Sequence, residues 1–206
     1  MPTRYNNRNK CQNDNDNESD NDTDNLLKVT ISKNHIYLYS DVCPLSMLHL
    51  NKAINDLNEP GYAYPEIWLH INSCGGSVYD ALAAVDTIQD SPTPIITIIE
   101  GIAASAASMI SVVGDKRYIR SHGTILIHQI RTEFSGKKSD MKDDFENIKV
   151  LDSKMIDLYV KNTNIKKSDL QKIFKNELEF DAKNCLKMGI VDEIYTGPKN
   201  LRKRKR

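Results

Sequence analysis

Apolar and polar positions along the chain alternate between two periods. "HIYLY" at 35–39 interleaves apolar residues with tyrosine and reads as a strand. Residues 44–58 place Leu45, Leu48, Ala53, Ile54 and Leu57 near helical spacing. "EPGYAYP" then reads as a loop, and "EIWLHIN" at 66–72 as a strand that runs into the tight turn "SCGG". Residues 77–90 form an amphipathic helix with Val78, Leu82, Val85 and Ile88 on one face and Ser77 as its cap. After the break at "SPTP", the run "IITIIE" (95–100) is short enough for a buried strand.

The Ala/Ser-rich segment "GIAASAASMI" (101–110) is expected to turn at Gly101 and continue as a helix to about Val113. "KRYIR" and "TILIHQI" read as strands on either side of "SHG". The longest helix is expected at 140–161. There Met141, Phe145, Ile148, Leu151, Met155, Leu158 and Tyr159 recur at steps of three and four behind Ser139 as N-cap. A short helix near 167–175, a last helical turn in "AKNCLKMG" and a strand in "IVDEIY" complete the series. Strands alternating with helices predict an α/β fold with parallel pairing.

Composition changes this picture at the ends. The chain has 206 residues, 39% hydrophobic and 27% charged, with a formal net charge of zero, so no bulk field points to nucleic acid or membrane. Residues 12–25 are mostly Asn and Asp, and 202–206 are "RKRKR". Neither stretch carries apolar surface to bury, so 1–25 and 199–206 are expected to be disordered tails around one domain at 26–198. Cys11, Cys43, Cys74 and Cys185 lack metal-ligand spacing and read as free thiols of a reducing compartment. No apolar run is long enough to span a bilayer, and the N-terminus shows no signal pattern. A soluble, intracellular (cytoplasmic) protein is expected, with the basic tail leaving a nuclear address open.

The chemistry concentrates where a strand meets glycine and then a helix. This happens in "IWLHINSCGGSV" and again in "IITIIEGIAASAAS". Gly75 and Gly76 permit left-handed backbone and close approach by a ligand, and turn N–H groups can hold a negative oxygen. A serine after such a turn follows the logic of a nucleophile elbow, although GxSxG is absent. His128 in "LIHQI" is a candidate base, set against the plainer role of a hydrogen-bonded core histidine.

"INSCGGSVYDALAAVDTIQ", "EGIAASAAS", "LIHQI" and "MGIVDEI" together resemble the ClpP family of self-compartmentalising serine proteases, in order and near the family's spacings. The resemblance covers about residues 34–195. It implies the crotonase-like α/β fold of repeated β-β-α units with a protruding handle helix. It further implies Ser105 as nucleophile, His128 as general base, and the N–H groups of Gly76 and Ala106 as the oxyanion hole. The family's third residue is an aspartate twelve positions before the glycine of its "GLVD". Here that position holds Glu177, with Asp169 and Asp181 out of register. Cys74, Ala107 and Ile130 replace a proline, a glycine and a proline of the family pattern.

By the same resemblance the chain forms heptameric rings, stacked as a tetradecamer, that cleave unfolded chains or peptides without cofactor or metal. An AAA+ unfoldase is the family's partner, but the Asn/Asp tract stands where the family has its axial segment. Two other readings remain: an inactive subunit that completes a ring, and a CoA-thioester enzyme on the same fold. The second is disfavoured by the Ser105–His128 pair.

Overall fold

A computed structural model describes residues 29–197. The expectations for both tails, and Cys11, lie outside the described residues. Among the described residues, eight strands form one mixed sheet. β1 (Val29–Ser32), β2 (His35–Leu38), β3 (Ile67–Ser73), β4 (Ile95–Ala104), β5 (Lys116–Arg120) and β8 (Glu193–Tyr195) are neighbours in that order. The pairs from β2 through β8 are parallel and β1 is antiparallel to β2. β6 (Thr124–Leu126) and β7 (Glu179–Asp181) form a side ladder. The fold is therefore α/β, as the alternation of periods predicts, and two of its strands are of a kind the pattern does not announce. β7 is three residues and largely exposed, and β1, although Val29 and Ile31 alternate with Thr30 and Ser32, is only four residues long and largely exposed.

The two faces of the sheet explain the residue pattern. In β3, Ile67, Leu69 and Ile71 are fully buried on one side, while Trp68 and His70 point to the other. The first side is covered by α1 (Pro44–Leu57), α2 (Val78–Gln89) and α3 (Ala106–Ser111), whose buried Leu50, Ile54, Ala81, Val85, Met109 and Ile110 complete the core. On the other side stands a band of rings. His70 stacks on Tyr37, Trp68 on Tyr118, and Tyr195 meets both Trp68 and Tyr118 edge-on.

β4 is the hinge of the architecture. Its first half, Ile96–Ile99, pairs with β5, and its second half, Ile102–Ala104, pairs with β6. Gly101 lies between them, where a side chain would run into the Asn72 amide. The chain therefore does not turn at Gly101, as the sequence suggests. It continues as strand to Ala104, held by the Ile102 N–H donating to Asn72 Oδ1 at 3.1 Å, and turns at Ser105.

The long helix α4 spans Lys138–Asn162, 25 residues, or about 37 Å at ~1.5 Å each. It begins earlier than its apolar stripe. Lys137 occupies the cap position, and its N–H donates to Asp140 Oδ2 at 3.1 Å, so Ser139 is inside the helix rather than its cap. The stripe is also split in use. Leu151, Met155 and Tyr159 are buried, whereas Met141 and Phe145 are exposed. α5 (Lys167–Ile173) and α6 (Ala182–Lys187) close the chain around β7 and β8. Among the described residues no helix is long and apolar enough to cross a membrane.

Candidate active site

Three strand ends converge. Ser73 of β3 is in register with Ala103 of β4, and Ala104 with Leu126 of β6. The residues that follow these ends, Cys74–Gly76, Ser105 and His128, are thereby delivered to one cleft of about 370 Å³. Asp41, Val42, Ile130, Arg131 and Met155 also line it.

Ser105 has φ 54° and ψ −125°, one of two non-glycine residues with positive φ among those described. Such a conformation costs ~1–3 kcal/mol and persists only where the surroundings enforce it. Here the Ser105 N–H donates to the Leu126 carbonyl at 2.8 Å, closing the β4–β6 ladder. Its carbonyl accepts from the Ser108 N–H at 3.0 Å and the Ser108 hydroxyl at 2.6 Å. The side chain of a strained, over-determined residue is thus presented between strand and helix.

The glycine pair is fitted against this turn. Gly75 has φ +93°, and a Cβ there would meet Ala104 O at 2.5 Å, Ser105 Cβ at 2.7 Å and Ala106 N at 2.9 Å. Gly76 has φ +149°, and a Cβ there would overlap the Val42 carbonyl. Val42 fastens the segment from its far side: its N–H donates to Gly75 O, and its carbonyl accepts from the Ser77 N–H, each at 2.8 Å. Ser77 caps α2 as expected, accepting from the Asp80 N–H at 3.3 Å. Cys74 is exposed at the cleft, in the turn itself.

His128 lies two residues past the end of β6 rather than within a strand. Its loop is tied to α5 by the Gln129 N–H, which donates to the Phe174 carbonyl at 2.9 Å. Burial lowers the imidazole's pKa and the Arg131 cation lowers it further, against smaller opposing contributions from the Gln129 backbone and Glu177. The ring is accordingly biased to the neutral form, the state a general base requires. Its Nδ1 is buried and has no hydrogen-bond partner among the described residues.

Glu177, the register's choice for the orienting carboxylate, is bonded to Arg131 instead. That hydrogen bond holds its pKa below the usual carboxylate range. The structure thus brings Ser105, His128, Gly76 and the start of α3 at Ala106 together, and stations Glu177 nearby on a different partner. Of the out-of-register aspartates, Asp181 caps α6, accepting from the Asn184 N–H at 2.8 Å, and Asp169 pairs with Lys172 at 3.0 Å. Arg131 escapes sequence reasoning altogether, since one arginine after a strand carries no chemical signal. No cluster of three or more His, Cys, Asp or Glu side chains suited to a metal ion occurs among the described residues.

The chain matches the Clp protease family over residues 18–198 and belongs to that family, whose fold is the ClpP/crotonase fold. It is 30% identical over 131 residues to the ATP-dependent Clp protease proteolytic subunit of Deinococcus radiodurans, a match covering 63% of this chain and 64% of that protein. It is 32% identical over 132 residues to the protein of the same name from Bigelowiella natans, covering 63% and 68% respectively. The chain thus aligns with just under two thirds of the Deinococcus subunit's length.

Proposed function

We propose that this chain is a serine endopeptidase subunit of the ClpP type, with Ser105 as nucleophile, His128 as general base and Glu177 as orienting carboxylate. The observation that carries the reading is the Ser105 turn. A strained serine faces a cleft that it shares with a largely neutral histidine and a glycine-built backbone segment. In the reaction, the Ser105 hydroxyl gives its proton to His128 as its oxygen bonds to the scissile carbonyl carbon. The oxyanion is held by the N–H groups of Gly76 and Ala106. Collapse breaks the C–N bond, and His128 returns the proton to the leaving amine. Water, activated by the same imidazole, then releases the acyl group from Ser105.

The family membership extends the proposal to assembly: heptameric rings, stacked in pairs, enclosing a chamber for unfolded or short peptides. Unfolding would be supplied by an AAA+ ATPase. The reading is tested with a fluorophosphonate, which is expected to label Ser105 alone in the wild-type protein and nothing in Ser105→Ala. Label on Ser108 or Ser111, or none on a preparation that cleaves peptides, overturns it. Activity is expected on short fluorogenic peptides, with little on stably folded proteins.

One observation favours a second reading, a ring-completing subunit of low activity: the unpartnered Nδ1 of His128 beside a carboxylate engaged elsewhere. A purified protein that neither takes the label nor cleaves peptides supports it. A CoA-thioester enzyme on this fold has no need of a serine at the strained turn.

A further inference from the structure

A buried chain of hydroxyls runs from α4 to the back of the Ser105 turn. Tyr159 and Ser108 are both fully buried, and their oxygens lie 2.5 Å apart. The Ser108 hydroxyl donates its single proton to the Ser105 carbonyl at 2.6 Å. Tyr159 must therefore be the donor to Ser108 Oγ. Burial pushes the Tyr159 phenol well above its ordinary range, which keeps that proton in place.

The accepting carbonyl shares a peptide plane with the Ala106 N–H. A trans peptide is rigid and points its C=O and N–H in opposite directions. Anchoring the oxygen on the core side therefore aims the Ala106 N–H to the other side. That side faces the Gly75–Gly76 turn that lines the cleft: Ala106 N is one of the three atoms a Gly75 side chain would meet, at 2.9 Å. As the first residue of α3, Ala106 has no intrahelical acceptor for this N–H. We infer that Tyr159 and Ser108 are positioning residues that fix the Ser105–Ala106 peptide plane and so aim the oxyanion-hole N–H of Ala106. The inference rests on the serine-peptidase reading. It also gives α4 a link to the chemistry, because Tyr159 belongs to the same helix as the exposed Met141 and Phe145.

A donor that must be aimed matters most when the oxyanion forms, so its loss shows in kcat rather than in KM. Removing an oxyanion donor outright costs about 10²–10³ in kcat; loosening its aim is expected to cost less, about tenfold for Tyr159→Phe and somewhat more for Ser108→Ala. Phosphonylation of Ser105 by a fluorophosphonate is expected to slow in parallel, since it builds charge on a phosphoryl oxygen that occupies the same hole. The acid limb of the pH–rate profile, which reports His128, is expected to stay where it is.

The experiment measures kcat, KM, labelling rate, pH profile and melting temperature for Tyr159→Phe, Ser108→Ala and the double variant, with Ser105→Ala alongside. In the Ser108→Ala background, Tyr159→Phe is expected to add little, because the chain is already broken. If both variants keep wild-type kcat and labelling rate while melting earlier, the pair is only structural and the inference is wrong. Tyr159→Phe preserves shape and decides alone should Ser108→Ala not fold. A Ser105→Ala protein that still turns over peptide sinks the serine-peptidase reading itself, whatever the other variants do.

Discussion

Arg131 holds the carboxylate of Glu177, three residues along the chain from an imidazole whose buried Nδ1 has no partner. Both members of the ion pair are more than half exposed, at 62% and 58%. Such a pair is worth only ~0–1 kcal/mol, so moving the carboxylate to His128 costs little. Arg131 also lowers the His128 pKa, second to burial. Replacing Arg131 by Gln removes that cation and frees Glu177, and both changes raise the pKa. The acid limb of kcat/KM is therefore expected to shift to higher pH in Arg131→Gln. A limb that stays put or moves down means that Arg131 does not control the imidazole.

Glu177→Gln tests the carboxylate directly. A carboxylate accepting from Nδ1–H selects the tautomer that can take the serine proton and stabilises the imidazolium that forms. Its loss is expected to lower kcat by about 10²–10⁴ with little change in KM. The control is Asp181→Asn. Asp181 caps α6, and Asn caps as well as Asp, so this change is expected to be nearly silent in both turnover and melting. Turnover lost in Asp181→Asn and kept in Glu177→Gln would transfer the role.

Two histidines, His70 buried and His128 half-buried, set an acid limit on stability. Burial lowers the pKa of His128, and it lowers that of His70 despite the Glu100 carboxylate 3.1 Å from its Nδ1. In the unfolded chain both titrate near ~6.5. Below that pH the unfolded state binds more protons than the folded one. The stability these rings contribute is thus complete above the unfolded pKa and is lost as pH falls through it toward the folded values. Denaturant midpoints are expected to fall between about pH 7 and pH 5. His70→Gln should flatten part of that slope, and an unchanged slope would remove His70 from the account.

Gly75 has both a left-handed backbone and no room for a side chain. Gly75→Ala would push a methyl into Ala104 O and Ser105 Cβ, atoms of the strained Ser105 turn. Overpacking of this kind costs ~1–3 kcal/mol, with backbone strain in addition. A lower melting temperature together with loss of Ser105 labelling is expected. Full labelling in a stable Gly75→Ala protein would show that the turn is looser than its contacts imply.

The strands β2 to β5 and the helices α1, α2 and α4 were legible because burial imposes a period on them. Leu50, Ile54, Ala81 and Val85 recur at helical steps for the same reason that they are buried. The turn at Ser105 was legible as a motif but misplaced as a bend. Glycine is the usual marker of a left-handed residue, and here Gly101 serves close approach to Asn72 while a serine takes the positive φ. The engagement of Glu177 by Arg131 could not be read at all. Register locates a carboxylate along the chain, but two exposed side chains choose partners by geometry that leaves no trace in spacing. The Tyr159–Ser108 contact was hidden for the opposite reason. Both residues sit in apolar patterns, where a hydroxyl looks incidental.

The apolar stripe of α4 changes partners along its length, and this makes self-association testable without disturbing the fold. From Leu151 onward it turns inward: Leu151 is buried at 7% exposure, Met155 at 3% and Tyr159 at 0%, with Leu158 half-buried beside them. An acidic substitution at Leu151 would therefore unfold the subunit and report nothing about assembly. Before Leu151, Met141 and Phe145, one turn apart on the same face, are exposed at 46% and 54%. Large apolar side chains clustered on one helix and left to water mark an interaction surface. If they meet another copy of the chain, Met141→Asp and Phe145→Asp place charges in that contact while removing nothing from the subunit's own core. Both variants are expected to keep the wild-type melting transition of the dissociated subunit and to show a lower mass by light scattering. Peptide hydrolysis should decline with the loss of mass, since α4 reaches the Ser105 turn through Tyr159 and Ser108. Wild-type mass in the double variant would exclude this half of α4 from the interface, and a wild-type monomer with full activity would exclude a chamber.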